Sequence, residues 1–296
     1  FKQQWRTTDN GLESVAVQSS DSLLILDEIG QMDGRVVGDC AYMLGNEAEK
    51  IRGSRGLMAR RRRTWRLLFL SSGEKDLATH MLEAGKKPNE GQLVRMPSVP
   101  GDAGAGLGML ECLHDVAPAE NAGKVFAETL TSAAAAAFGS AGAAWLEWLA
   151  GNLELVRERA PVDMRRMECE WVPANSHPQV WRVATRFALV GVAGELAPEA
   201  GITGWLPGEA ETAARKCFDA WLIQRGHAGN GEEAAMLRQV RLHLESNGSL
   251  LYSWIHRAND DHNAATPMRC GFKRYVNDAG EPIRIDPGTD YVDAKS

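Results

Sequence analysis

Asp21-Ser22-Leu23-Leu24-Ile25-Leu26-Asp27-Glu28-Ile29-Gly30 is an unbroken aliphatic run that ends in two adjacent carboxylates and, two residues on, a glycine. An apolar run this short, bounded by polar residues, reads as a strand buried on both faces, as in a parallel sheet. Acids at the exit of such a strand stand at the carboxyl ends of the strands, where open α/β sheets bind ligands. There Asp27 suits the water shell of Mg²⁺, and Glu28 suits polarisation of an attacking water. The plainer reading is a core strand ending in a solvated acidic turn. A paired-carboxylate acid/base site is disfavoured, because neighbouring strand residues point to opposite faces.

A second apolar run lies about 45 residues on, Trp65-Arg66-Leu67-Leu68-Phe69-Leu70-Ser71-Ser72-Gly73, and it ends in two hydroxyls. Before the first run, Thr8-Asp9-Asn10 can cap a helix from Gly11 to about Gln18, and between the runs 39–50 has helical composition. Residues 74–84 predict another helix and 92–96 a third short strand, before a turn-rich stretch from Pro97 to Gly108. Helix and strand in alternation indicate an α/β sheet domain over 1–115.

After residue 115 the composition changes. Helices are expected over 119–138, 141–159, 182–197 and 209–225, which makes 116–228 an all-helical domain. A break at Gly226–Gly231 is followed by helical periodicity over 232–245. Gly271–Val276 and Pro282–Ile285, joined by Asn277-Asp278-Ala279-Gly280, predict a hairpin. Together these suggest a small winged-helix module over 229–296. The expected fold class is therefore α/β plus all-α.

Composition excludes several functions. The 296 residues carry a net charge of -6, so any nucleic-acid-binding surface must be local. Five cysteines without a Cys-x-x-Cys argue against a disulfide framework and a zinc ribbon and fit a reducing, cytoplasmic compartment. His256, His262 and Cys270 have no structural zinc spacing. No run approaches the roughly 20 apolar residues of a membrane span. Phe1-Lys2-Gln3-Gln4-Trp5-Arg6 is neither a start nor a signal peptide, and it reads as a cut through a longer protein.

The acidic strand has the pattern of a Walker B motif. With a hydroxyl-ended strand at this interval, it matches the spacing of an AAA+ ATPase core, whose second strand supplies a polar sensor 1. Ser71 and Ser72 are the candidates, Ser71 slightly preferred, and the alternative role is a hydroxyl cap for the following helix. The wording of Trp5–Glu13, Leu24–Gly30, Arg66–Glu74, Ala103–Gly106, Arg186–Leu189 and Ala193–Ala197 resembles the phage and mobile-element family called domain of unknown function nine-two-seven. The resemblance spans roughly 5–245, and the wording after Asn247 departs from it. Its members look like replicative helicases related to minichromosome-maintenance and superfamily III ATPases.

The resemblance implies a partial P-loop sheet core, a helical lid, ATP and Mg²⁺ as cofactors, DNA as partner, and a ring-forming homo-oligomer, expected to be a hexamer. It makes the chain the C-terminal portion of such a helicase. The phosphate loop Gly-x-x-x-x-Gly-Lys-Ser/Thr, which the family carries upstream, occurs nowhere in the 296 residues. The alternative is therefore an inactive ATPase relative that binds DNA or a replication partner.

The resemblance also suggests roles for arginines. Eight of the 33 basic residues crowd into positions 50–66, with no acid among them. A hairpin at that place would grip DNA phosphates through Arg52, Arg55, Arg60, Arg61, Arg62 and Arg63; the plain alternative is a solvated face. Arg95, on the expected third strand, is the arginine-finger candidate. Arg182 and Arg186, on the lid helix, are sensor 2 candidates for nucleotide contact, set against ordinary helix-surface charge.

Overall fold

A computed structural model describes residues 2–50, 62–114, 121–226, 228–229, 236, 239–244, 246–247, 252–254 and 271–273. The chain divides into two compact units, Phe1–Gly231 and Glu232–Ser296.

The first unit is built on a parallel sheet of three strands in the order β1 (Lys2–Gln4), β2 (Leu23–Asp27), β3 (Leu68–Ser71). Lys2 pairs with Ile25, and Leu24 with Phe69. Helix α1 (Asp9–Gln18) connects β1 to β2, and α2 (Val37–Gly45) lies between β2 and β3. Thr8 caps α1, its hydroxyl accepting the Gly11 N–H at 3.2 Å. Leu24 and Leu26 point into a core with Trp5, Leu12, Ala16, Val37, Leu44 and Trp65. Full burial of a leucine contributes about 1.5–3 kcal/mol, so these two do much to fix the strand's register.

Among the described residues one face of the sheet is left open, which corrects the expectation for β2. Period-2 alternation puts Leu23, Ile25, Leu68 and Leu70 on the opposite face. There Leu23 is 47% exposed and Leu70 59%. The run is continuous in apolar character, but only alternate residues enter the core.

Two short helices follow β3: α3 (Leu77–Glu83) and α4 (Glu90–Leu93). Asp76 caps α3, its carboxylate accepting the Thr79 N–H at 2.6 Å. Residues 92–96 are not a strand. The Gln92 side chain accepts the Asn89 N–H at 2.9 Å, which starts a helical turn, and Val94 is buried in a second core. That core belongs to α7 (Leu153–Trp171), α8 (Pro178–Glu199) and α9 (Glu209–Arg225), with Met167, Trp171, Val183, Val192, Phe218 and Trp221 at its centre. α8 meets α9 closely because Gly194 has no side chain. A Cβ there would lie 2.5 Å from Ala210 Cβ. Glu195 accepts the N–H groups of Gly208 and Glu211, satisfying donors at the start of α9.

The helix expected over 141–159 is two, α6 (Ser140–Gly151) and α7, separated at Asn152. α5 (Ala122–Ala136) precedes them; Val125 on α5, Phe138 in the link and Leu146 on α6 are exposed. In the second unit, residues 239–244 are helical, and β4 (Tyr252–Trp254) pairs in parallel with β5 (Gly271–Lys273). The other arm of the expected hairpin, Pro282–Ile285, lies outside the described residues. Among the described residues, no helix is long and apolar enough to cross a membrane.

Candidate functional site

The strand tips of β2 and β3 are tied together. Ile29 N donates to Ser72 O at 2.9 Å, and Ser72 N donates to Leu26 O at 3.1 Å. These two bonds bring the acidic turn and the hydroxyl turn side by side. Gly73 makes this approach feasible, because a Cβ there would lie 2.4 Å from Ile29 Cγ2.

Within that frame Ser72 Oγ donates to Asp27 Oδ1 at 2.6 Å and accepts the Glu28 N–H at 3.1 Å. The other carboxylate oxygen, Asp27 Oδ2, takes the Lys2 ammonium at 2.7 Å. Those two donors, Lys2 before Ser72, hold the Asp27 carboxyl below the usual carboxylate range. Ser71 has a different place. Its hydroxyl accepts the Trp5 indole N–H at 2.9 Å on the core side of the sheet. Alternation therefore assigns the site-facing hydroxyl to Ser72, although Ser71 was slightly preferred from the sequence. Neither serine caps α3, because Asp76 does.

Glu28 sits in the left-handed region, at φ 58° and ψ 81°. A non-glycine residue with a long side chain pays steric energy there, of order 1–3 kcal/mol, and persists only where its surroundings impose the conformation. Here Ser72 holds its backbone N–H, and its own carboxylate accepts the Gly30 N–H at 3.2 Å. A single 3₁₀ turn, Ile29–Gln31, leads the chain away.

The donor set at this turn is only part of what Mg²⁺ requires. Asp27 offers one carboxylate with a hydroxyl beside it, and the Glu28 carboxylate is turned onto its own loop. Among the described residues, no group of three or more His, Cys, Asp or Glu could hold an ion by itself. Mg²⁺ is commonly held by one or two carboxylates, the rest of its shell coming from water and substrate phosphates. The residues therefore fit a cation delivered with a nucleotide, and they do not fit one caged by protein alone.

The remaining candidates fall in two places. Arg52, Arg55, Arg60 and Arg61 lie outside the described residues. Arg62 and Arg63 are committed within the fold: Arg62 Nε donates to Glu49 O at 2.5 Å, and Arg63 Nε pairs with Glu49 Oε2 at 2.8 Å. Glu49 is 4% exposed, and beside it Ala48 and Thr64 form an antiparallel bridge, so these two arginines stand where the two ends of the basic segment pair and satisfy a buried acid and its backbone.

Arg95 is on no strand. It follows α4, stacks 3.9 Å from the centre of the Tyr42 ring, and donates to Asn46 Oδ1 and Gly91 O. Arg186, one helical turn from the exposed Arg182, donates to Val94 O. Burial first, then the charges of Arg95 and Arg182, push the Arg186 guanidinium below its usual range, while Glu47 acts in the opposite sense. Three arginines separated in sequence thus gather where α4 meets α8, with no ion-pair partner among the described residues.

These features define a mixed α/β protein whose candidate site is at the carboxyl end of a small parallel sheet. Against known proteins, the family model described as "Domain of unknown function (DUF927)" matches residues 1–64. No curated protein and no solved structure matches the chain. The matched span includes β1, α1, β2, α2, Asp27 and Glu28, whereas the resemblance read from the sequence extended over roughly 5–245. Lys2 is the site residue that sequence reasoning missed. No motif marks it, and only the β1–β2 register brings it to Asp27.

Proposed function

We propose that this chain belongs to an ATP-driven, ring-forming DNA helicase of a phage or integrated mobile element, with a cytoplasmic place of action. One observation carries the reading: Ser72 on one strand tip donates to Asp27 on the next, beside a glutamate held in a left-handed turn. An acid, a neighbouring strand's hydroxyl and a second acid are the parts that Walker B and sensor 1 contribute to nucleotide hydrolysis. Asp27 would hold Mg²⁺ through its carboxylate, and Ser72 fixes the direction of that carboxylate. When bound, the ion neutralises charge on the β- and γ-phosphate oxygens. Glu28 is the candidate to accept a proton from the attacking water. Its carboxylate is released for that by rotation away from the exposed Gly30 N–H.

Arg95, Arg182 and Arg186 supply concentrated positive charge suited to a phosphate group, and Arg182 is the most exposed of the three. In this reading the phosphate that Arg95 reaches belongs to a neighbouring subunit of a hexamer. DNA contact is assigned to Arg52, Arg55, Arg60 and Arg61.

A second reading has support of its own. With Lys2 on Asp27 and Glu28 turned to Gly30, the site also suits an ATPase relative that binds DNA or a replication partner without turnover. ATP hydrolysis by the product of the whole gene decides between them, measured with and without single-stranded DNA. The helicase reading expects Mg²⁺-dependent turnover that Glu28→Gln abolishes while nucleotide binding persists. Absence of turnover in the unaltered protein would leave the second reading standing.

A further inference from the structure

Lys2 reaches Asp27 by the arithmetic of the sheet. In the parallel register Lys2 lies opposite Ile25, so its side chain shares a face with Ile25 and with Asp27 two residues on. Its ammonium sits 2.7 Å from Asp27 Oδ2, while Asp27 Oδ1 is taken by the Ser72 hydroxyl at 2.6 Å. The two oxygens are therefore held differently. One accepts a neutral donor from the adjacent strand tip. The other meets a full positive charge on a flexible four-carbon stem.

That difference matters for a metal. A divalent cation at Asp27 would bind most readily through Oδ2, since the Ser72 hydroxyl already occupies one lone pair of Oδ1. It would there compete with the ammonium for the same lone pairs and be repelled by it at close range. The lysine side chain is 65% exposed, so it can swing into water without disturbing the core. Ser72, on its short and rigid side chain, stays. The arrangement is a site whose cation position is already filled by a displaceable charge.

We propose that Lys2 competes with the divalent cation for Asp27 Oδ2, acting as a stand-in cation that weakens the site for bare metal. A metal arriving with phosphates brings compensating negative charge and displaces the ammonium, which can then turn toward those phosphates. Lys2 is thus a positioning residue that biases the site toward metal–nucleotide over free metal. This inference rests on the reading of Asp27 as a metal ligand.

Mn²⁺ alone, titrated into the ¹⁵N-labelled 296-residue chain, tests it through paramagnetic broadening of the Glu28 and Ser72 backbone amides. Lys2→Met should lower the Mn²⁺ concentration for half-broadening by about 1.5- to fivefold, the range measured for exposed ion pairs. Lys2→Arg, which keeps the charge, should behave as the unaltered chain, and Asp27→Asn should lose the local broadening. Equal or weaker sensitivity in Lys2→Met, with Asp27-dependent broadening intact, would overturn the role of Lys2 and spare the metal assignment. Absence of Asp27-dependent broadening even in Lys2→Met would overturn the metal assignment and Lys2 with it.

Discussion

Ser72 Oγ stands 2.6 Å from Asp27 Oδ1 and donates to it, joining two residues 45 positions apart in the chain. With the Lys2 ammonium on the other oxygen, the bond lowers the Asp27 carboxyl from its ordinary value of 3.8. A carboxyl lowered in the folded state binds fewer protons there than in the unfolded chain. Its contribution is fully present above the unfolded value and is lost as pH falls through the folded one. Ser72→Ala and Lys2→Met should each raise the Asp27 titration midpoint, followed by carboxyl ¹³C shifts, and should move acid unfolding to higher pH. Ser71→Ala should leave that midpoint where it is.

Glu28 offers a trade between stability and turnover. Asparagine tolerates the left-handed region, and its side-chain oxygen accepts the N–H two residues on, which here is that of Gly30. Glu28→Asn should stabilise the chain by about 1 kcal/mol in a urea melt by relieving the backbone. In the helicase reading, the same change removes ATP turnover. A destabilised Glu28→Asn chain would show that the glutamate side chain contributes more to the turn than the strain removes.

Gly73→Ala tests how closely the strand tips must approach. Its new methyl would meet Ile29 Cγ2 at 2.4 Å, and Ile29 is only 2% exposed. Overpacking of this kind costs about 1–3 kcal/mol. Thermal unfolding should show that loss, and the Asp27 midpoint should rise as the tips separate.

The arginine run should divide by experiment into two functions. Replacing Arg52, Arg55, Arg60 and Arg61 with alanine should flatten the dependence of log affinity on log salt for single-stranded DNA by roughly 1.5 to 3, if two to four phosphates are contacted. The loss should be similar for unrelated sequences, because phosphates carry no base identity. Glu49→Gln or Arg63→Ala should leave that slope in place and lower stability by about 1.5–3 kcal/mol, the worth of a hydrogen bond to a charged group. Fluorescence anisotropy across a salt series, beside thermal melts, separates the two.

The parts of this fold that could be read from the sequence are those in which a local pattern and the tertiary environment agree. The aliphatic runs of β2 and β3 are strands, α9 runs from Glu209 to Arg225 as expected, and both acids lie at a sheet exit. β1 escaped notice because Lys2, Gln3 and Gln4 are polar and exposed, and they are extended only because β2 offers a partner. Residues 92–96 misled for the opposite reason. Val94 is apolar because it fills the helical core, while the Asn89/Gln92 signature of a helix start was present in the sequence. The Lys2–Asp27 pair and the gathering of Arg95 with Arg182 and Arg186 depend on register and helix packing, which no local window contains.

Ser71 and Ser72 carry identical hydroxyls, so polarity alone cannot tell the strand which of them should face Trp5 and which Asp27. A slip of one residue along β3 would put one serine in the other's place and leave its own place to Leu70 or Gly73, so only one of the two partners would keep a hydroxyl. It would also reverse parity among the neighbours. Phe69, packed against the core, would be turned out, and Leu68 and Leu70 would be driven in. The bulk of one aromatic ring therefore keeps the count for a site it never touches. Substitutions that make residues 68 to 70 alike in size would blur the site without altering any residue in it.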